Sequence, residues 1–272
     1  MIFKYEMKKL SGLTLVWVFI AVTIAFNALK AVNILSSIGW AELYGELFGS
    51  FGMLLFFECT ALNLLILLFI TGCENTSGTA AVLFSSKTGR RLIKLKLSAA
   101  FLAGSIAFAV IYFFSYIILF SIHDLSGVWE QELSLLNGNA EAFGIVVWEN
   151  ITLRQFFIGG LAISYILNMI FIALSTPIAL FIRNSYIAFG LVAGMVVSNL
   201  FLIAALPVNW LFYKIVKTTP LGLITENTIW FSSGGLALPM PGFETVITAF
   251  YLLLGLAFVL TGLKVYSGKD LI

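Results

Sequence analysis

Charge is scarce in this chain. Asp, Glu, Lys and Arg together make up 10% of its 272 residues, where a soluble domain carries about 25%. A surface facing water on every side cannot be built from so few charged groups, which excludes an ordinary soluble enzyme and a disordered segment. Histidine occurs once, at His123, and cysteine twice, at Cys59 and Cys73. That supply gives neither the common zinc constellations nor a disulfide framework. The formal net charge of +2 is too small for a nucleic-acid binder. The phosphate-cradling Gly-x-x-x-x-Gly-Lys-Ser/Thr loop is missing, so this chain alone is not expected to hydrolyse ATP. His-Glu-x-x-His and the Gly-x-Ser-x-Gly elbow are missing too. His123 beside Asp124 could shuttle a proton, but with no nucleophile nearby it reads as structural. No enzyme activity and no metal site are expected.

What the chain has in quantity is apolar residues, 61% of the total. A helix needs about 20 mostly apolar residues to cross a bilayer core of roughly 30 Å, because lipid offers the backbone no hydrogen-bond partner. Six stretches qualify: Leu13–Ala31, Met53–Cys73, Leu97–Phe120, Phe156–Ile182, Tyr186–Leu206 and Val246–Gly262. The first is too long for a cleavable signal peptide and lacks a small-residue cleavage pattern, so it is expected to be retained. Pro177, after Ser175 and Thr176, removes one backbone bond from span four and should kink it. Only Arg183, Asn184 and Ser185 separate spans four and five, which predicts a tight helical hairpin. The expected fold class is an all-α integral membrane protein, a single transmembrane domain over residues 1–272.

Positive residues collect on the cytoplasmic side of a membrane. With the N-terminus inside, the inner segments hold Lys4, Lys8, Lys9, Lys87, Arg90, Arg91, Lys94, Lys96, Arg183, Lys264 and Lys269. The outer ones hold only Lys30, Arg154, Lys214 and Lys217. Acidic residues sort the other way, from Glu42 and Glu46 through Asp124–Glu149 to Glu226 and Glu244. Both termini are therefore expected in the cytoplasm. Residues 1–12 are amphipathic and are read as an interfacial helix with its lysines near anionic headgroups; the alternative is a plain cytosolic extension of span one.

Residues 74–96 form the most informative inner segment. Ser77 or Thr76 can cap a short helix carrying Ala80, Val82, Leu83 and Phe84. Ser86–Gly89 reads as a turn, followed by a basic helix into span three. The segment is either a docking knob for a soluble partner or a solvated basic loop. The two outer segments, 121–155 and 207–245, are aromatic and partly apolar. They are expected to lie against the membrane or to form short re-entrant helices.

An ionisable group inside a span is a functional hypothesis by default, and Glu58 is the clear case. It reads first as a carboxylate hydrated by, or hydrogen-bonded to, the outer loops, with contact on a substrate path as the alternative. Asn27, Asn63, Asn168 and Asn199 are neutral polar groups in spans one, two, four and five. They could bond between helices or line a cavity; Asn27, Glu58, Asn63 and Asn199 are the candidate pathway residues. Gradient-driven carriers generally use broken helices or several buried ionisable groups near the midplane. This sequence has little of either.

Four features together resemble the membrane subunit of a type-2 ABC exporter. Phe3-Lys4-Tyr5-Glu6-Met7-Lys8-Lys9-Leu10 is similar to that family's elbow helix. Glu74-x-x-x-Gly78-Thr79, followed by Leu83, Phe84, Arg90, Arg91 and Lys96, is similar to its ATPase-coupling region. The six-span order with both ends inside agrees, as does the long apolar outer segment before span six, which in the family forms short outer-leaflet helices. The acidic segment Ser121–Gln155 is longer than in many relatives, and could be a gate or a substrate-facing cap.

The resemblance implies a multi-pass protein of the cell membrane, bacterial in type, working as two permease copies or a copy and a homologue. It implies a separate ATPase subunit that binds ATP and Mg, docked on Glu74, Gly78, Thr79, Leu83, Phe84, Arg90 and Arg91. It also implies export, and the lack of a wide polar lining suggests an amphipathic or hydrophobic cargo such as a peptide. No cofactor is expected in this chain, and membrane lipid is the other expected partner. Two other classes stay open: an ion- or proton-coupled carrier, and a non-transporting immunity or scaffold protein.

Overall fold

The computed structural model describes residues 8, 14–35, 51–76, 87–122, 129–132, 151–182, 184–205, 211–225 and 243–268. Six long apolar helices account for most of them: α1 (Thr14–Leu35), α2 (Phe51–Thr76), α3 (Lys87–Ile122), α4 (Leu153–Phe181), α5 (Ser185–Ala205) and, last in the chain, α8 (Phe243–Gly268). All six are long and apolar enough to cross a membrane. Each overlaps one expected span, with ends shifted by a few residues. Two short helices, α6 (Leu211–Lys217) and α7 (Gly222–Thr225), fall between α5 and α8. Among the described residues the regular structure is all helical, and the chain is a multi-pass membrane protein. The expected elbow helix lies outside the described residues except for Lys8, which is helical and exposed.

Local chemistry sets the helix ends that are described. Thr152 caps α4: its hydroxyl accepts from the Gln155 N–H (3.3 Å), and the Gln155 side chain accepts from the Thr152 N–H (3.2 Å). This reciprocal pair satisfies two backbone donors that have no partner inside the helix. The next two donors, Leu153 and Arg154 N–H, reach back to the carbonyls of Gln131 and Trp129. Asn184 caps α5, its Oδ1 accepting from Tyr186 N–H (2.9 Å) and Ile187 N–H (3.3 Å). That cap is why three residues are enough to turn from span four to span five. Pro177 lies inside α4, which runs on to Phe181. The Ser175 and Thr176 hydroxyls bond back to the Phe171 and Ile172 carbonyls (2.8 and 3.1 Å), so these polar groups are satisfied within their own helix.

One expectation fails at the start of span three. Lys87, Thr88 and Gly89 are the opening of α3, not the end of a turn. The first turn of a helix has no i−4 carbonyl to bond, so a glycine there forfeits little. α3 is 36 residues long, about 54 Å at 1.5 Å per residue. That exceeds a bilayer core of roughly 30 Å, and the excess carries the basic residues from Lys87 to Lys96.

α2 is the hub. It packs against α3, α4, α5, α1 and α7, and its pairing with α3 is the most extensive in the molecule. α5 and α8 expose most of their length, and α8 leans chiefly on α4. That last pairing is parallel. A Cβ at Gly255 would come 3.0 Å from Ala173 Cβ, and one at Gly262 would come 3.2 Å from Leu180 Cδ1. Contacts repeat seven residues apart on both helices in the same direction, a close approach by small residues of the kind membrane helices use in place of a hydrophobic drive. Paired cysteines test the register. In a chain without Cys59 and Cys73, Ala173→Cys with Gly255→Cys should cross-link on mild oxidation, since Cβ atoms within about 4 Å can be bridged. Ala173→Cys with Gly262→Cys, a heptad away, should not. Equal cross-linking of both pairs would refute the register.

Candidate functional site

The polar residues of the spans converge on α2 at two depths. The first lies seven residues from the start of α2, about 10 Å along its axis. There Asn27 of α1 is fully buried and donates through Nδ2 to two acceptors: Glu58 Oε2 of α2 at 2.8 Å and Ser115 Oγ of α3 at 3.1 Å. One amide nitrogen thereby ties three helices. The Asn27 Oδ1 is buried with no hydrogen-bond partner. Lys30, one turn further along α1, acts on the Glu58 charge from nearby. Among the described residues, the hydrogen-bond partner of Glu58 is Asn27 of a neighbouring helix.

At the second depth, the middle of α2, Asn63 donates through Nδ2 to Asn168 Oδ1 of α4, and Asn168 Nδ2 donates to Thr60 Oγ1 at 2.9 Å. All three are buried, so the chain of bonds staples α2 to α4 in the dry interior. Gly104, at the midpoint of α3, makes room for it: a Cβ there would come 2.8 Å from Asn63 Oδ1 and 3.1 Å from its Cγ. That Oδ1 has no hydrogen-bond partner of its own. Ser105, next on α3, hydrogen-bonds the Tyr165 hydroxyl of α4 at 2.9 Å.

Between and above the two layers runs an aromatic ladder. Phe108, Tyr112, Tyr116 and Phe120 recur every four residues on α3, with successive ring centroids 4.0, 5.9 and 5.5 Å apart. Four-residue spacing puts them on one helix face. Phe51 of α2 and Phe157 of α4 meet Tyr116 edge-on at 5.8 and 4.8 Å. Trp129, in the described part of segment 121–155, packs on Phe120 and Phe157 at 5.1 and 5.6 Å, which holds it against the ends of α3 and α4. The Tyr112 hydroxyl faces Ser164 of α4 but makes no hydrogen bond of good geometry.

Of the expected pathway residues, Asn27 and Glu58 are brought together and Asn63 lies the next layer down. Asn199 bonds elsewhere: its Nδ2 donates to Thr219 Oγ1 (3.0 Å), beside the turn between α6 and α7. Gly222 in that turn approaches the backbone of Val216 and Lys217 so closely that a Cβ would come 2.5 Å from the Val216 carbonyl oxygen. Of the coupling residues, Gly78, Thr79, Leu83 and Phe84 lie outside the described residues. Glu74 is in the last turn of α2, and Arg90 and Arg91 are in the first turn or two of α3. Lys96 differs from the expected solvated basic run. It is 1% exposed, and its Nζ donates to the Ile70 carbonyl of α2 (3.2 Å), so the buried ammonium has a backbone acceptor.

Ser115, Thr60 and Gly104 were not singled out by the sequence. Ser98, Ser105 and Ser121 of α3 each bond the carbonyl four residues back, the ordinary habit of serine in an apolar helix. Ser115 instead accepts from another helix, and nothing in its local sequence distinguishes it. Among the described residues no group of three or more His, Cys, Asp or Glu could hold a metal ion. The arrangement defines a membrane protein with a polar seam inside a helical bundle. No family model matches the chain, and no curated protein matches it.

Proposed function

We propose that this chain is the permease subunit of an ATP-driven exporter of the type-2 ABC kind, located in a bacterial plasma membrane with both termini in the cytoplasm. The observation that carries the reading is the join between α2 and α3. In sequence, the Glu74-x-x-x-Gly78-Thr79 segment precedes a basic helix longer than the bilayer core, in a chain with no nucleotide-binding motif. A separate ATPase would dock there and supply the ATP and Mg chemistry. Two permease copies would form the substrate path, and closure of the ATPases would rock the span bundles against each other. The sparse polar lining favours an amphipathic or hydrophobic cargo such as a peptide.

The test is purification of the full chain from native membranes in mild detergent. A subunit carrying a phosphate-binding loop should accompany it in equal amount, and ATP should drive cargo movement in reconstituted vesicles. Transport by the chain alone, abolished when an ion gradient is collapsed, would overturn the reading.

A further inference from the structure

The Asn27–Glu58–Ser115 cluster has a property that simple helix stapling does not require. The buried amide donates to both neighbours and leaves its own oxygen unpartnered. A buried carbonyl with nothing to accept from is disfavoured. An asparagine amide has nearly the same shape when its oxygen and nitrogen are exchanged, so the cluster has two arrangements that fill the same space. In the arrangement observed, Nδ2 donates to Glu58 Oε2, a bond that the ionised carboxylate accepts most strongly, and to the Ser115 oxygen. In the reversed one, Oδ1 faces Glu58 and Ser115 and accepts from both, which requires a proton on the carboxyl group and the Ser115 hydroxyl turned toward the amide. Each arrangement keeps two hydrogen bonds and leaves the other end of the amide unpartnered. Only the reversed one requires the proton on Glu58.

We propose that Glu58, Asn27 and Ser115 form a proton-binding site inside the membrane, in which uptake of one proton by the Glu58 carboxylate reverses the Asn27 amide. The step is balanced: a hydronium ion gives its proton to the carboxylate, leaving water and the neutral acid, and no other covalent bond is made or broken. Glu58 is half-buried, so it can exchange that proton, while Asn27 and Ser115 are sealed. A charge within a span is costly and must be paired or neutralised. Among the described residues, the charged and titratable groups acting at this site are Lys30 of α1, Cys59 beside Glu58 on α2, and Tyr112 of α3 with Tyr116 behind it. Ser164, the α4 group facing Tyr112, is not titratable. The site's few oxygens suit a proton better than a metal cation, since hard ions such as Ca2+ take about six to eight. Because Asn27 is a polar link from α1 to both α2 and α3, the proton state of Glu58 acts on how α1 is held.

The experiment is an infrared pH titration of the full chain in phosphatidylcholine vesicles, with no ATPase present. A protonated-carboxyl band should grow as pH falls while the chain remains folded. It should come with a side-chain amide change. Glu58→Gln should remove one component of the carboxyl band, leaving the other carboxyl groups to titrate, and Asn27→Leu should abolish the amide change and displace the midpoint of that component by about one pH unit, the scale of a lost charge-assisted bond. Ser115→Ala keeps the carboxyl group and should also displace the midpoint, so the proposal stays testable if Glu58→Gln does not fold. A band undiminished in Glu58→Gln, or a midpoint of that component unmoved in both Asn27→Leu and Ser115→Ala, would overturn it. So would a response to Na+ at fixed pH with no proton uptake.

Discussion

Gly104→Leu should destabilise the chain by about 2–4 kcal/mol, from overpacking and the loss of interhelical hydrogen bonds in the apolar interior. The first atom added at position 104 already meets Asn63 Oδ1 at 2.8 Å, and leucine adds three more carbons. Asn63 cannot simply swing away, because its Nδ2 is committed to Asn168, and Asn168 in turn to Thr60. Either α3 backs off from α2 along their long seam or the amide pair breaks, leaving buried polar groups unpaired. Helix propensity pulls the other way, since leucine is a better helix former than glycine by up to about 1 kcal/mol. The range allows for that offset. Gly160→Ala on α4 is the control: a Cβ there meets nothing within 4 Å, so propensity alone should act and stability should hold or rise slightly. Denaturant midpoints of the two variants in bicelles decide the matter. Equal midpoints would mean that the α2–α3–α4 seam tolerates the added bulk.

The second large effect concerns ATP. Gly78→Trp and Phe84→Asp should each reduce ATP hydrolysis by the assembled complex to the rate of the isolated ATPase, while insertion of the chain is unchanged. The prediction rests on the proposed exporter function. Both positions fall in sequence between α2 and α3, away from the apolar stretches that determine membrane insertion. A bulky side chain at 78 or a charge at 84 would spoil an apolar docking contact without touching the spans. Arg154→Ala is the comparison, because its ion pair with Glu130 (3.2 Å) is exposed on both sides, 64% and 76%, and such pairs contribute little. Hydrolysis at the full stimulated rate in both Gly78→Trp and Phe84→Asp would remove the coupling assignment.

The six helices were legible in the sequence because the membrane requirement is local. Each span needs only enough consecutive apolar residues, and that sum does not depend on what packs beside it. The ends were less legible. α3 began at Lys87, three residues before the basic helix expected after Gly89, since lysine and threonine can open a helix as readily as close a turn. Short helices before the last span were foreseen, and α6 and α7 are there. The cap at Asn184 was hidden in plain view, a short polar residue one position before a helix start.

The candidate site was half legible. Glu58 and the asparagines stand out because polar groups are rare in spans. Their pairing does not: Asn27 and Glu58 are 31 residues apart, and Asn63 and Asn168 are 105 apart. Which asparagine meets which partner depends on the rotation and depth of each helix about α2. Nothing local specifies either. Asn199 looked like its fellows and bonds to Thr219 instead. Lys96 looked like one more basic residue in a cytoplasmic run, and α3 turns it inward to a carbonyl of α2.

By itself the sequence determined the class, the number of spans and the strong asymmetry of charge between alternate segments. These follow from composition over windows of about 20 residues and from the high cost of charge in lipid. The tertiary structure alone decided that α2 is the central helix, that α8 lies parallel to α4, and that one amide holds α1, α2 and α3 together. Those facts rest on hydrogen bonds and close contacts a few ångströms long between residues far apart in the chain. Such short-range geometry exists only once the helices have been set beside one another.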